Sequence, residues 1–215
     1  MCKIEAAFEP PLFLPKSFPA RVFTLTTALV FRTATPDDLP SITRIYAHAV
    51  DHGTATYELE APDEKEMLAR MQSLVGQGYP YLVALQGEDV LGYAYAGPFR
   101  ARPAYRFMVE DSVYLAPEAQ GKGVGRRLLG ALVEACRASG FRQIVAVIGD
   151  GTNHRASVGV HAALGFEHAG VLKGSGYKFE RWLDTVFMQL ELNGGAGTPP
   201  DPASVPEKMY RKSAS

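Results

Sequence analysis

The chain has 215 residues, enough for one ordinary globular domain with some trimming and too few for two large ones. Its 22 basic and 23 acidic residues leave a formal charge of −1, so it lacks the positive field that non-specific nucleic-acid binding requires. Its two cysteines, Cys2 and Cys136, cannot supply the paired framework of a small secreted domain, and Cys136 falls in an apolar helical stretch; both facts point to a reducing, cytoplasmic compartment.

Residues 1–27 are apolar but broken by Pro10, Pro11, Pro15 and Pro19, and they carry Glu5 and Glu9 where a signal peptide places positive charge. Residues 1–28 therefore read as an N-terminal extension, and no apolar run approaches the roughly 18 residues of a membrane span. Leu29-Val30-Phe31-Arg32 reads as a first strand. Pro36-Asp37-Asp38 then opens a helix whose acidic first turn suits the positive end of the dipole, with Ile42, Ile45, Tyr46 and Ala49 on its apolar face. Pro62-Asp63-Glu64 opens a second, with Met67, Leu68, Met71 and Leu74 inward and Gly76 as its stop.

Residues 81–85 and 90–95 are two strands at hairpin spacing around Gly87-Glu88-Asp89. A strand over 108–115, closed by Ala116-Pro117, leads to a helix over 124–139 with Val124, Leu128, Leu129, Leu132, Val133 and Cys136 at helical spacing and Gly140 as a left-handed stop. Ile144-Val145-Ala146-Val147-Ile148 has no polar face, as a strand covered on both sides requires. A shorter helix over 153–164 ends at Gly165, and a last strand over 184–192 turns Val186, Met188, Leu190 and Leu192 inward. The expectation is an α/β (α+β) domain over residues 29–193, with a mixed, mainly antiparallel sheet and helices on both faces. Residues 194–215 string together Gly, Pro, Ser and charge without periodicity and read as a loose tail.

The most informative segment is Gln120-Gly121-Lys122-Gly123-Val124-Gly125, a glycine-rich turn between a strand and an amphipathic helix. Glycines let the backbone approach a ligand closely, and N–H groups at a helix start point at an anion, so the segment outlines a diphosphate cradle. It is not a Walker loop, since Gly125 is followed by Arg126 and Arg127 where Lys and then Ser or Thr are needed. The spacing of Gly121, Gly123 and Gly125 also misses the Gly-x-Gly-x-x-Gly of dinucleotide sites.

Gln120, Gly123 and Gly125 fill the acetyl-CoA signature of the GCN5-related N-acetyltransferase (GNAT) superfamily, which the chain resembles over nearly all of residues 31–192. Val109-Glu110-Asp111-Ser112-Val113-Tyr114, Val145-Ala146-Val147-Ile148, His161-Ala162-Ala163-Leu164-Gly165-Phe166 and Gly176-Tyr177-Lys178-Phe179 with Trp182 and Asp184 narrow the resemblance to the phosphinothricin and methionine-sulfone N-acetyltransferase group. The resemblance implies the GNAT fold, acetyl-CoA as co-substrate, no metal, and a homodimer. It implies a V-shaped gap between the strands at Val113 and Ile148 that takes the pantetheine arm. The main chain of Val113, Tyr114 and Leu115 would bond that arm. Gly121, Lys122, Gly123, Val124, Gly125 and Arg126 would take the pyrophosphate, and Asn153 an amide further along. Asp150-Gly151-Thr152-Asn153-His154-Arg155-Ala156-Ser157 is longer than the family's usual link, and an N-cap role for Asn153 stands beside the ligand role.

Acetyl transfer needs a neutral amine, so a base is required. The resemblance gives that role to Glu110, with His161 as second catalytic residue; pairing of Glu110 with a rim arginine and core packing of His161 are the alternatives. Backbone N–H groups near Leu115 are placed to stabilise an oxyanion. The five histidines, His48, His52, His154, His161 and His168, lack the partners of a zinc or iron site. Arg100, Arg102 and Arg106 cluster before Glu110 in a loop with Phe99, Pro103 and Tyr105, and guanidinium forks suit a carboxylate or phosphinate acceptor. Asp111, Ser112 and Lys178 complete the expected acceptor site, while Trp182 is a site residue or a core ring. Two alternatives stay open: another amine (a peptide, aminoglycoside or polyamine), or a regulatory module that binds acetyl-CoA without turnover.

Overall fold

The computed structural model describes residues 28–214; the N-terminal extension, apart from residue 28, lies outside them. In chain order the elements are β1 (Leu29–Thr33), α1 (Leu39–His52), α2 (Glu64–Gly76), β2 (Tyr81–Gln86), β3 (Asp89–Pro98), β4 (Met108–Leu115), α3 (Val124–Ala138), β5 (Gln143–Gly149), α4 (Arg155–Ala162), β6 (Glu167–Lys178), β7 (Arg181–Glu191) and α5 (Val205–Ala214). The strands form one sheet in the order β1-β2-β3-β4-β5-β7-β6. Every neighbouring pair is antiparallel except β4–β5, whose parallel crossover is made by α3.

Helices cover both faces. Successive residues of a strand point to opposite sides: the Tyr114 ring meets Tyr46 of α1 at 4.9 Å, whereas Leu115 lies against Gly125 of α3. The two sides thus carry α1 with α2 and α3 with α4. Leu128, Leu129 and Leu132 of α3 and Ile42 of α1 are fully buried at these contacts.

Near its start the chain departs from the expected helix. Pro36–Asp38 form a 3-10 turn and α1 begins at Leu39, because the buried Asp38 carboxylate folds back to accept from the Thr35 amide at 2.8 Å. The Arg32 guanidinium donates to the same carboxylate at 2.7 and 2.8 Å and fastens β1 to the turn.

Two larger corrections concern the C-terminal third. β6 was not expected, because nearly every residue along this edge strand is exposed and neither alternation nor an apolar run announces it. Its hairpin to β7 turns through Phe179 and Glu180, both left-handed at φ 52 and 58, in place of the glycine or asparagine that usually marks such a turn. The segment after β7 is not loose either. The Arg142 side chain, in a residue only 8 % exposed, donates to the carbonyls of Gly195, Thr198 and Pro199, and the Val205 amide donates to Ser139 O at 2.9 Å. Buried polar bonds from one arginine, more than apolar periodicity, hold this segment, which is why composition misreads it.

Arg142→Ala should strip those carbonyls of their donor and destabilise the fold by about 2 kcal/mol, measured by chemical unfolding. In the native wild type, trypsin should cut slowly after Lys208 and Arg211 and much faster in the variant; prompt wild-type cleavage there would contradict docking of the segment.

Candidate active site

β4 and β5 pair only from Met108↔Gln143 to Asp111↔Ala146. Beyond that point β4 stays paired to β3 as far as Leu115↔Gly92, and β5 to β7 as far as Gly149↔Thr185, but the two strands no longer pair with each other. Residues 112–115 and 147–149 therefore face each other across a gap, a place where an extended polar chain can lie as an added strand. A cleft of about 250 Å³ occupies the gap, with residues 110–114 and 146–149 as walls, residues 55–57 at the rim, and His154, Ser157 and His161 on the α4 side.

The glycine turn follows β4 directly. Gly121 and Gly123 have φ of +70 and +76, a region that L side chains avoid, and a Cβ on either would meet nothing within 4 Å, so the space above the turn is open. Gly123 caps α3 without a side-chain bond, and the first helical bond there runs from the Arg127 amide to Gly123 O at 3.3 Å. The amides of Val124, Gly125 and Arg126 thus have no carbonyl partner within the helix. Exposed Lys122 and Arg126 add positive charge. A Cβ on Gly125 would stand 3.1 Å from Leu115, so glycine there also brings the helix start up to the strand end. The turn and gap fit an extended ligand with a diphosphate at one end.

Glu110 and Asp111, adjacent on β4, point to opposite faces. Glu110 lies on the face of Ser112 and Tyr114. Burial pushes its carboxyl up, the neighbouring Asp111 charge adds to this, and Arg100 opposes it. Asp111 lies on the α4 face, where its Oδ2 is 3.0 Å from His161 Nε2. The other ring nitrogen, Nδ1, is 2.8 Å from Ser157 O. Burial works against a charged His161 ring, but the Asp111 carboxylate and the Ser157 carbonyl outweigh it and raise its pKa. His161 is therefore partnered by Asp111, and it reaches the cleft from the opposite face to Glu110.

The other expected residues divide. Val113 and Tyr114 line the cleft, Leu115 ends its strand, and Ser112 faces the phenols of Tyr95 and Tyr114. Gln120 is exposed beside the glycines. Arg100 is exposed, stacks on Phe99 at 5.1 Å and is close enough to influence Glu110; Arg102 is exposed on the same loop. Arg106, expected to face the acceptor, instead pairs with Glu207 of α5 at 3.0 Å. Lys178, also expected at the acceptor, is 4 % exposed and donates to Thr56 O at 3.1 Å, so it braces the rim and does not line the cleft. Asn153 neither caps α4 nor lines the cleft: its side chain donates to Asp150 Oδ1 at 2.9 Å and α4 begins two residues later, so the longer link puts His154 and Ser157 on the wall. Trp182 is no core ring, being 69 % exposed.

Sequence reasoning missed Tyr57 and Tyr95, which also line the cleft. The Tyr57 hydroxyl donates to Asp184 O at 3.1 Å and sits 2.9 Å from Thr185 Oγ1. A Cβ on Gly149 would be 2.2 Å from Thr54 O and 2.9 Å from the Tyr57 ring, so a glycine ends β5 where this loop presses in. That glycine was the available signal. Among the described residues no cluster of three His, Cys, Asp or Glu side chains could hold a metal ion, and no helix is long and apolar enough to cross a membrane.

The family model of the acetyltransferase (GNAT) domain matches residues 31–187. The phosphinothricin N-acetyltransferase of Alcaligenes faecalis is 53% identical over 174 residues, covering 81% of this chain and 88% of its own. An L-methionine sulfoximine/L-methionine sulfone acetyltransferase of Pseudomonas paraeruginosa is 43% identical over 169 residues, covering 78% of this chain and 97% of its own. Among solved structures, a GNAT superfamily phosphinothricin acetyltransferase from Sinorhizobium meliloti, in complex with AcCoA, superposes with a TM-score of 0.82 at 52% identity, covering 85% of this chain and 98% of that one. With a split parallel pair, an open glycine turn at its mouth and relatives of this kind, the chain is an acetyltransferase and belongs to the GNAT family.

Proposed function

We propose that this acetyltransferase transfers the acetyl group of acetyl-CoA to the amino group of a small amino-acid-like acceptor of the phosphinothricin, methionine sulfone or methionine sulfoximine type. The observation that carries the reading is one continuous path. It runs from the open amides of the glycine turn, along the unpaired edge of residues 112–115, to a half-buried Glu110 with Arg100 beside it. Acetyl-CoA supplies an activated thioester. The amides of residues 121–126 hold its pyrophosphate, with Gln120, Lys122 and Arg126 around it, and residues 113–115 bond the arm. His154 and Ser157 take the wall position first expected of Asn153.

At the other end, Arg100 and Arg102 offer forks to a carboxylate or phosphinate. Glu110, whose raised pKa makes it a stronger base, takes the ammonium proton directly or through water. The start of the unpaired β4 edge, at Val113, supplies an N–H to the developing oxyanion, because Leu115 lies about 16 Å from Glu110 along the strand, at the diphosphate end. Asp111 and Ser112 act from the walls, Asp111 by holding His161. Turnover of phosphinothricin would make the chain a determinant of herbicide resistance.

The reading includes a homodimer. Val171, Leu172, Tyr177, Phe179 and Trp182 are large apolar residues left exposed along the β6–β7 hairpin, and Tyr177 and Trp182 pack edge to face at 5.1 Å, which supports a partner there. It includes a cytoplasmic location, supported by Cys136, a buried free thiol.

Thiol release from acetyl-CoA should be seen with phosphinothricin, methionine sulfone and methionine sulfoximine. Turnover confined to aminoglycosides would overturn the acceptor, and binding of acetyl-CoA without turnover on any amine would mark a regulatory module. Glu110→Gln should cut kcat/KM at least about tenfold, roughly 1.4 kcal/mol at the barrier. Because the folded pKa of Glu110 is raised, the base is lost as pH falls through a value above that of an unperturbed glutamate. The wild-type profile should show that acid limb and the Gln variant should lack it; identical profiles would remove Glu110 from the mechanism. In sedimentation, Trp182→Glu should shift a dimer to monomer, and a monomeric wild type would contradict the dimer.

A further inference from the structure

We propose that residues 194–214 form a clasp that positions the acceptor loop, residues 99–107, by gripping Arg106 with Glu207 and Tyr210. This rests on the reading of Arg100 and Arg102 as acceptor contacts. The family match ends at residue 187, so the clasp lies beyond the matched acetyltransferase core.

Its base is fixed. Arg142 donates through its guanidinium to Gly195, Thr198 and Pro199, while its own amide donates to Phe107 O at 2.9 Å. One residue therefore ties the segment with its side chain and the end of the acceptor loop with its backbone. α5 then packs near the α2–β2 and α3–β5 turns, where a Cβ on Gly78 would be 2.8 Å from Val205 and one on Gly140 2.5 Å from Ser204.

From that base α5 reaches the loop. Arg106 Nε donates to Glu207 Oε2 at 3.0 Å, and a second nitrogen donates to Pro103 O at 3.2 Å within the loop. The guanidinium lies 4.6 Å from the Tyr210 ring and 4.5 Å from the Phe107 ring. A planar cation bonded at its edge and stacked on aromatic rings has little rotational freedom. Fixing Arg106 and the Pro103 carbonyl fixes the 3-10 turn over Pro103–Tyr105, and Tyr105 in turn packs on Phe99 at 5.8 Å, next to Arg100. Arg106, Glu207 and Tyr210 are positioning residues: they set where Arg100 and Arg102 stand without touching the acceptor.

Deleting the whole segment would strip Arg142 of its carbonyl partners and uncover the core edge beneath it, so point variants of the full chain make the cleaner test. Glu207→Gln and Tyr210→Leu should each raise the KM of whichever amino-acid acceptor the wild type uses by about fivefold or more, with kcat and the acetyl-CoA Kd within about twofold. A lowered melting temperature with unchanged acceptor KM would mean a merely structural helix and overturn the proposal. Hydrogen exchange of residues 99–107 reads the clasp without any acceptor: Glu207→Gln should speed it, and unchanged exchange would overturn the clasp. Failure of the acceptor reading would show separately, as absence of wild-type turnover on these amino acids.

Discussion

The structure depends on an interrupted ladder. Parallel neighbours β4 and β5 bond for four register positions and then part, while each keeps its antiparallel partner on the other side. Unpaired main-chain groups are costly when buried, so the gap persists only as an open cleft or as one filled by another extended chain. The last pair before the fork is Asp111↔Ala146, and there the Asp111 carboxylate holds the buried His161 ring of α4. Breaking one partner of such a pair leaves an uncompensated charge, so α4 is fixed to β4 at the point of divergence. On the far side, the loop at Thr54 and Tyr57 presses against Gly149 and covers the end of β5.

This geometry assigns different work to the two faces of β4. The α1 face offers Glu110, Ser112 and tyrosine hydroxyls, a polar but enclosed setting that raises the basicity of a carboxylate. The α4 face commits Asp111 and His161 to each other. Glu110 stands apart from that pair on the other face, although the Asp111 charge still helps to raise its pKa. At the glycine turn, the unpartnered amides of the α3 start and the exposed Lys122 and Arg126 contribute positive potential of the same sign.

Much of this was legible in the sequence, for identifiable reasons. The glycine turn could be read because positive φ and open approach each demand glycine, and its alternating glycines run straight into an amphipathic helix. β5 and α3 were legible because burial on both sides or one side leaves a plain apolar pattern. β6 left no such pattern because its surroundings within one chain bury almost none of it. The ordered C-terminal segment was hidden because its anchor, Arg142, looks like any surface arginine until its carbonyl partners are in place. Arg106 and Lys178 have the right residue type for an anionic acceptor, but tertiary contacts with Glu207 and Thr56 engage them elsewhere. For Asn153 the extra length of the link decided the outcome, turning its side chain back on Asp150.

The claim at the centre is that acetyl-CoA lies in the gap between β4 and β5 with its diphosphate on the glycine turn. Amide hydrogen exchange with and without acetyl-CoA measures this directly. Slowed exchange concentrated in residues 112–126, with a weaker effect at 147–149, is the predicted result. Protection confined to another part of the surface, or none at saturating ligand, would contradict the account.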